Sequence, residues 1–312
     1  MITIFTVPKP FKDNIGIIQK NAIRSWLQLR PKCEVLLLGN EQGTTEAAES
    51  LGVQQIPQIE YNKFGTPLVN SVFDVAQGHG SHKLMAYVNA DIILMSDFIR
   101  AVSRLRWTKC VMSSRRWDLD VTDLINFEEP DWEVRLQTMA VNRQRIAGYY
   151  AIDYFVFPRG LWGEIPPFAL GRTAWDNWLM FRARALRVPL IDATRVVTVV
   201  HQDHDYLHVP SGKTSVAYDK LDNGKVGIPS TITEKKAWEW SYKGVESERN
   251  RQLSGEKMLG FLDATWSLTP DGLQRNTHFL YLRRRISTLA VLHPSLRPLF
   301  KLVRWFLRSF KR

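Results

Sequence analysis

The chain has 312 residues, 45% hydrophobic and 23% charged, an ordinary globular composition able to bury one large core or two small ones. Its net charge of +11 is concentrated: residues 281–312 carry nine Lys/Arg and no acid, and the remainder is near neutral, unlike a nucleic-acid-binding body with basic residues spread over its surface. No apolar run reaches the roughly 18 residues a membrane-spanning helix needs.

Met1–Val7 reads as a buried first strand ended by Pro8-Lys9-Pro10, not as a signal peptide. Residues 15–29 place Ile15, Ile18, Ala22, Ile23 and Trp26 at helical spacing, with Asp13-Asn14 as the cap and Pro31 closing the helix. Glu34–Gly39 is a second buried strand ending in a Gly-Asn turn. A helix over 44–51 stops at Gly52, and a short strand covers 53–56. A helix over 67–76 precedes a strand over 84–88 that runs into Asn89-Ala90-Asp91. A helix (96–105) and a strand (110–113) follow, then a charged stretch, 118–142, of mostly helical character. Strands over 154–157 and 195–200 bracket a helix over 173–185. Residues 210–229 read as a loop and 235–253 as a helix.

This alternation predicts an α/β sandwich with a largely parallel sheet, in which ligands bind beyond the carboxyl ends of the strands. No GxGxxG or GxxxxGK[ST] motif occurs, which argues against dehydrogenases and P-loop enzymes. The two cysteines, Cys33 and Cys110, fit neither a zinc pattern nor a disulfide framework; they read as small buried hydrophobes in a chain suited to a reducing cytosol. Most of the eleven tryptophans are expected in the core, although such rings also stack on sugars.

Three segments carry possible chemistry. Asn89-Ala90-Asp91 puts a carboxylate at a strand end, where it can reach a divalent metal on a diphosphate; Asn89 offers a neutral oxygen or a ribose contact. A turn or helix cap is the structural alternative. In Gly171–Trp178, Thr173 is placed as a helix cap and Asp176 in the first turn, between two tryptophans. An ionised carboxylate there can deprotonate an acceptor hydroxyl. The run His201-Gln202-Asp203-His204-Asp205-Tyr206-Leu207-His208 gathers three of the seven histidines, as metal or phosphate ligands or as a solvated polar loop.

In this order the segments make residues 1–210 resemble the GT-A type glycosyltransferases, with the nucleotide-diphosphosugar transferase fold. The residues concerned are Ile2–Val7, Leu36–Asn40, Tyr87–Ile92, Asp153–Pro158, Gly171–Leu179 and His201–His208. The Gly-Arg-x-x-Trp-Asp-Asn-Trp and His-Gln-x-His-x-Tyr elements are the specific ones. The resemblance implies a three-layer sandwich with a helical C-terminal extension: a catalytic domain over 1–210, an extension over 211–280 and a basic tail over 281–312. It also implies Mn²⁺ or Mg²⁺ on Asp91 with His201 or His204, His201 being favoured. Asp176 would be the base, Asp153 an acceptor-binding or alternative catalytic acid, and Val7, Asn40 and Lys83 nucleotide contacts. Asn89 stands where the family's triplet has its first acid.

The activity implied is transfer from a nucleotide sugar to a glycan or lipid-linked acceptor, as in polysaccharide biosynthesis. The alternatives are a sugar nucleotidyltransferase, disfavoured because Thr6–Phe11 lacks glycine, and a non-catalytic glycan- or membrane-binding protein. Between Leu296 and Phe310, apolar residues fall on one side of a helix and Arg297, Lys301, Arg304 and Arg308 on another. That pattern suits an anionic membrane surface, so a cytoplasmic protein peripheral to the membrane is expected.

Overall fold

The computed structural model describes residues 1–204, 234–255, 257 and 264–276. They fall in two units, Met1–His204 with Glu246–Gln274, and Asp205–Val245 with Arg275–Arg312. The loop read at 210–229 and the basic tail at 281–312 lie outside the described residues.

The first unit begins with alternating β and α elements: β1 (Ile2–Thr6), α1 (Asp13–Gln28), β2 (Glu34–Leu38), α2 (Thr44–Leu51), β3 (Gln54–Ile56), α3 (Val69–His79) and β4 (Leu84–Val88). β1 pairs in parallel with β2 on one side and β4 on the other, and β2 pairs in parallel with β3. The carboxyl ends of these strands therefore share one edge.

Next come β5 (Ile92–Ile93), α4 (Ser96–Ser103), β6 (Val111–Ser113), β7 (Arg116–Leu119), α5 (Trp132–Arg143), β8 (Tyr154–Pro158), α6 (Trp175–Ala185), β9 (Leu190–Asp192) and β10 (Val199–Gln202). The described chain ends with α7 (Glu234–Ser254), β11 (Trp266–Thr269) and β12 (Gly272–Arg275).

A nine-stranded sheet runs β12-β11-β9-β6-β8-β4-β1-β2-β3. β8 runs antiparallel to its neighbours, β4 and β6. A second sheet, β5-β10-β7, has β10 antiparallel to β5 and parallel to β7.

Period-two alternation of side chains sorts the core into two faces. Ile2, Ile4, Leu37, Ala86 and Val88 point to one side, against Ala22, Ile23 and Trp26 of α1 and Phe98 and Ala101 of α4. Phe5, Leu36, Met85 and Tyr87 point to the other, against Val69, Val72, Phe73 and Ala76 of α3 and Trp175 and Leu179 of α6. The result is the three-layer α/β sandwich with a mostly parallel central sheet that the resemblance implies. A third cluster lies under the small sheet, where α5 buries Trp132, Leu136 and Ala140 against Ile93, Leu119 and Val200.

Both cysteines are buried and free, and Trp26 and Trp162 are fully buried, as expected of core residues. Gly52 ends α2 in the left-handed region (φ 65°), its N–H donating to the carbonyls of Ala48 and Glu49.

Several boundaries differ from the sequence reading. No side chain caps α1; its preceding residue is Lys12, and Asp13 itself sits at φ 47°. Pro67 and Leu68 are withheld from α3 because their backbones bridge Tyr61 and Ala169. The stretch 118–142 is not one helix: Arg116–Leu119 is a strand, captured by β10, and the helix starts only at Trp132. Within the segment 211–280, β11 joins the main sheet beside β9, as part of the first unit.

Candidate metal and catalytic centre

Asp91 follows β4 in a turn closed by the Ile92 N–H donating to the Asn89 carbonyl (3.1 Å). Gln202 fixes its backbone: the Gln202 N–H (3.2 Å) and Nε2 (3.3 Å) both approach the Asp91 carbonyl oxygen. Gln202 is itself held by Asn21, whose Nδ2 donates to Oε1 (3.1 Å). The Gln of the His-Gln element is thus a brace for the Asp91 turn.

β10 lies against β5, with His201 opposite Ile92, so the histidines face Asp91. His201 Nε2 is 3.6 Å and His204 Nε2 3.4 Å from Asp91 Oδ2. One carboxylate oxygen and two imidazole nitrogens lie within 4.8 Å of one another. Asp91 Oδ1 is buried with no partner. An unsatisfied buried oxygen beside two imidazoles is a donor set that fits a divalent cation.

On its other side His201 meets Asp118, its partner in the parallel β7–β10 register, with Nδ1 3.2 Å from Oδ1. Arg116 Nε donates to Asp118 Oδ1 (3.0 Å), and Arg116 Nη1 donates to Asp153 Oδ1. Asn89 Nδ2 also donates to Asp153 Oδ1 (2.9 Å), and its backbone N–H to the Asp153 carbonyl (2.9 Å). Asn89 and Asp91 are neighbours in the chain, so these polar groups close into a ring.

Charge inside this ring is strongly coupled. Burial raises the Asp91 carboxyl, yet the His201 charge and hydrogen bonds from both histidines hold it well below the usual carboxylate range. Burial pulls the His201 imidazole down, but Asp91 and Asp118 overcome it and push it up to about 9. Asp118 is lowered despite burial, by His201 and Arg116. A proton on Nε2 and a divalent cation are alternatives for one place, both answering the Asp91 charge.

Asp176 reaches the same edge by a different route. The backbone at Ala174 turns through φ 87°, and α6 starts at Trp175 with Asp176 in its first turn; Thr173, expected as the cap, is not the residue flanking the helix. Trp175 packs edge-on against Tyr87 at 5.3 Å. The Tyr87 hydroxyl donates to Asn89 Oδ1 (2.9 Å). Burial, then the charges of Asp91, Asp153 and Asp176, drive the Tyr87 phenol up. Burial and the Asp153 charge push the Asp176 carboxyl up to about 7, against a hydrogen bond from the Asn177 N–H.

Val7, half-buried, and Asn40, exposed, follow β1 and β2 at the carboxyl edge that also carries Asn89. Lys83 does not join them. It precedes β4, where its carbonyl accepts from the Arg159 N–H (2.8 Å), and one strand length separates it from Asn89. A residue before a parallel strand necessarily lies at the opposite edge from one after it.

The sequence reading did not single out Asp118, Arg116 or Gln202 as site residues. Arg116-Trp117-Asp118-Leu119 alternates polar and apolar residues, a strand signal, but only the β7–β10 pairing brings Asp118 to His201.

No family model and no curated protein matches the chain. Among solved structures it is similar to S. aureus TarS at 12% identity and TM-score 0.42, covering 65% of this chain and 36% of that one. A shorter form, S. aureus TarS 1-349 in complex with UDP-GlcNAc, is similar at 13% identity and TM-score 0.44 over 97% of this chain and 87% of that one. The mannosyltransferase PcManGT from Pyrobaculum calidifontis, in complex with GDP-Man and Mn²⁺, is similar at 14% identity and TM-score 0.43 over 82% and 73%. The chain spans about a third of the first of these TarS structures.

Proposed function

We propose that the chain is a glycosyltransferase acting on a nucleotide-diphosphosugar, with Asp91, His201 and His204 as cation ligands and Asp176 as the base. One observation carries this reading. Three residues able to hold a cation follow β4 and β10, and Asp176, a carboxyl raised to about 7, lies in the first turn of α6, whose Trp175 packs on Tyr87 beside Asn89 and Asp153. When bound, the cation supplies positive charge against the departing diphosphate.

The chain's own groups do the rest. Asp176 is half in its basic form near pH 7 and accepts the proton of the acceptor hydroxyl. Asp153 has one oxygen held by Arg116 and Asn89, while the other, Oδ2, is buried without a partner and suits a sugar hydroxyl. Val7, Asn40 and Asn89, which share the carboxyl edge, would contact the nucleotide. Two imidazoles in the donor set favour Mn²⁺ over Mg²⁺, which prefers an all-oxygen shell. The acceptor, a glycan or lipid-linked sugar, is proposed from the family resemblance.

The test is a thermal-shift panel of UDP, GDP and CDP sugars with and without Mn²⁺, with UDP-GlcNAc and GDP-Man as the first probes. Stabilisation that needs Mn²⁺ and is lost in Asp91→Ala is expected. No shift with any sugar nucleotide sinks the proposal.

A further inference from the structure

We propose that Asp118 is a positioning residue for His201: by accepting the Nδ1 hydrogen, it turns the lone pair of Nε2 toward Asp91. The inference rests on reading Asp91, His201 and His204 as a divalent cation site.

A neutral imidazole carries one N–H, and the partner of one nitrogen decides what the other can do. His201 is 2% exposed, so water cannot set the tautomer. Its two nitrogens face different acids, Nε2 toward Asp91 at 3.6 Å and Nδ1 toward Asp118 at 3.2 Å. The placement of Asp118 comes from the backbone, since it is the register partner of His201 across the β7–β10 pair. Arg116, two residues earlier on the same strand face, holds the Asp118 carboxylate at 3.0 Å and reaches on to Asp153. In the structure Nδ1 lies at ion-pair distance from Asp118 without completing a hydrogen bond, and Asp118 is the nearest acid to it.

Asp203 is the rival for Nδ1, but it lies farther off at 3.9 Å and is engaged by Arg145 at 3.0 Å. The two guanidiniums also argue against a second cation between Asp118, His201 and Asp203, because both acids are already answered by positive charge. Ligating histidines commonly donate their other N–H to a carboxylate, and removing it costs about 10- to 100-fold in metal affinity.

The experiment titrates Mn²⁺ alone into the full chain and follows free Mn²⁺ by electron paramagnetic resonance. Asp91→Ala should abolish binding. Asp118→Asn should weaken it by about tenfold and Asp118→Ala by up to about 100-fold. If Asp91→Ala abolishes binding and both Asp118 variants bind like wild type, the positioning role is wrong and the cation site stands. If Asp91→Ala binds like wild type, the cation reading fails, and this inference with it. A second measurement uses the unmutated chain and so does not depend on the variants folding. In ¹⁵N spectra with Zn²⁺, a diamagnetic cation that imidazole binds well, the His201 ring should show a protonated Nδ1 and an unprotonated Nε2. The reverse tautomer overturns the proposal.

Discussion

Asp176 stands under two opposing demands. As the proposed base it must lose its proton, yet its surroundings favour keeping it, raising the group from 3.8 to about 7. The dependence of rate on pH follows directly: transfer should rise as pH passes through about 7 and be nearly absent at pH 5. Asp176→Asn should lower kcat by about 10²–10⁴-fold and change donor affinity little. Stability should move the other way. A carboxyl whose folded pKa is raised contributes stability below its unfolded value, and that contribution is lost as pH rises through the folded value. Asp176→Asn should therefore melt higher than wild type at pH 8 and equally at pH 4. Because Asp176 is partly exposed, the gain is on the order of 1–2 kcal/mol rather than the full shift. Equal melting at pH 8 would contradict the raised carboxyl. Asp91, Asp176, His201 and His204 were all legible in the sequence, because each stands at a strand end or a helix start whose pattern is readable. Asp118 was not, since its importance lies in a strand pairing that no local pattern encodes.

At the scale of elements, the loop entering α6 decides where Asp176 stands, and the last turns of α7 hold that loop. Asn250 Nδ2 donates to the carbonyls of Ala169 (3.0 Å) and Thr173 (3.1 Å), while its Oδ1 accepts from the Ala169 N–H (2.8 Å). Glu246, 1% exposed, accepts from Arg172 Nε at 2.7 Å and from Asn62 Nδ2 at 2.6 Å. Removing one member of a buried ion pair leaves an unanswered charge, so Arg172→Met should cost about 3 kcal/mol by denaturant unfolding. Adding Glu246→Gln, which keeps an acceptor for Asn62, should restore most of that loss. Additive losses would show that the pair is not coupled. The sequence revealed α7 by its helical character, but not its grip on residues 169–173. β7 carries a polar–apolar alternation, but it is short and its second half falls in the charged stretch 118–142 whose character is mostly helical. Ala174 ahead of α6 is a further case: an alanine at φ 87° breaks the rule that made Thr173 the expected cap.

For the molecule as a whole, the alternation of strands and helices made the sandwich readable from sequence. The small sheet was not, because β5, β7 and β10 come from three separate stretches of chain. No described helix is long and apolar enough to cross a membrane. The basic tail bears on a separate proposal, attachment to an anionic membrane surface through residues 281–312. Protein ending at residue 280 should stay in the supernatant with phosphatidylserine vesicles that pull down the full chain in low salt. Unchanged sedimentation after truncation would assign attachment elsewhere.

The proposed cation ligands are far apart in the chain; His204 and Asp91 are separated by 113 positions. A cation bridging them would act as a reversible cross-link between β10 and the β4–β5 turn, closing a long loop that folding must otherwise close unaided. Mn²⁺ at about 100 times its dissociation constant would add about 2.7 kcal/mol to the stability of the native chain. The melting temperature should climb with the logarithm of Mn²⁺ concentration and stay flat in Asp91→Ala. Metal supply would then govern how long the folded protein survives as well as how fast it works.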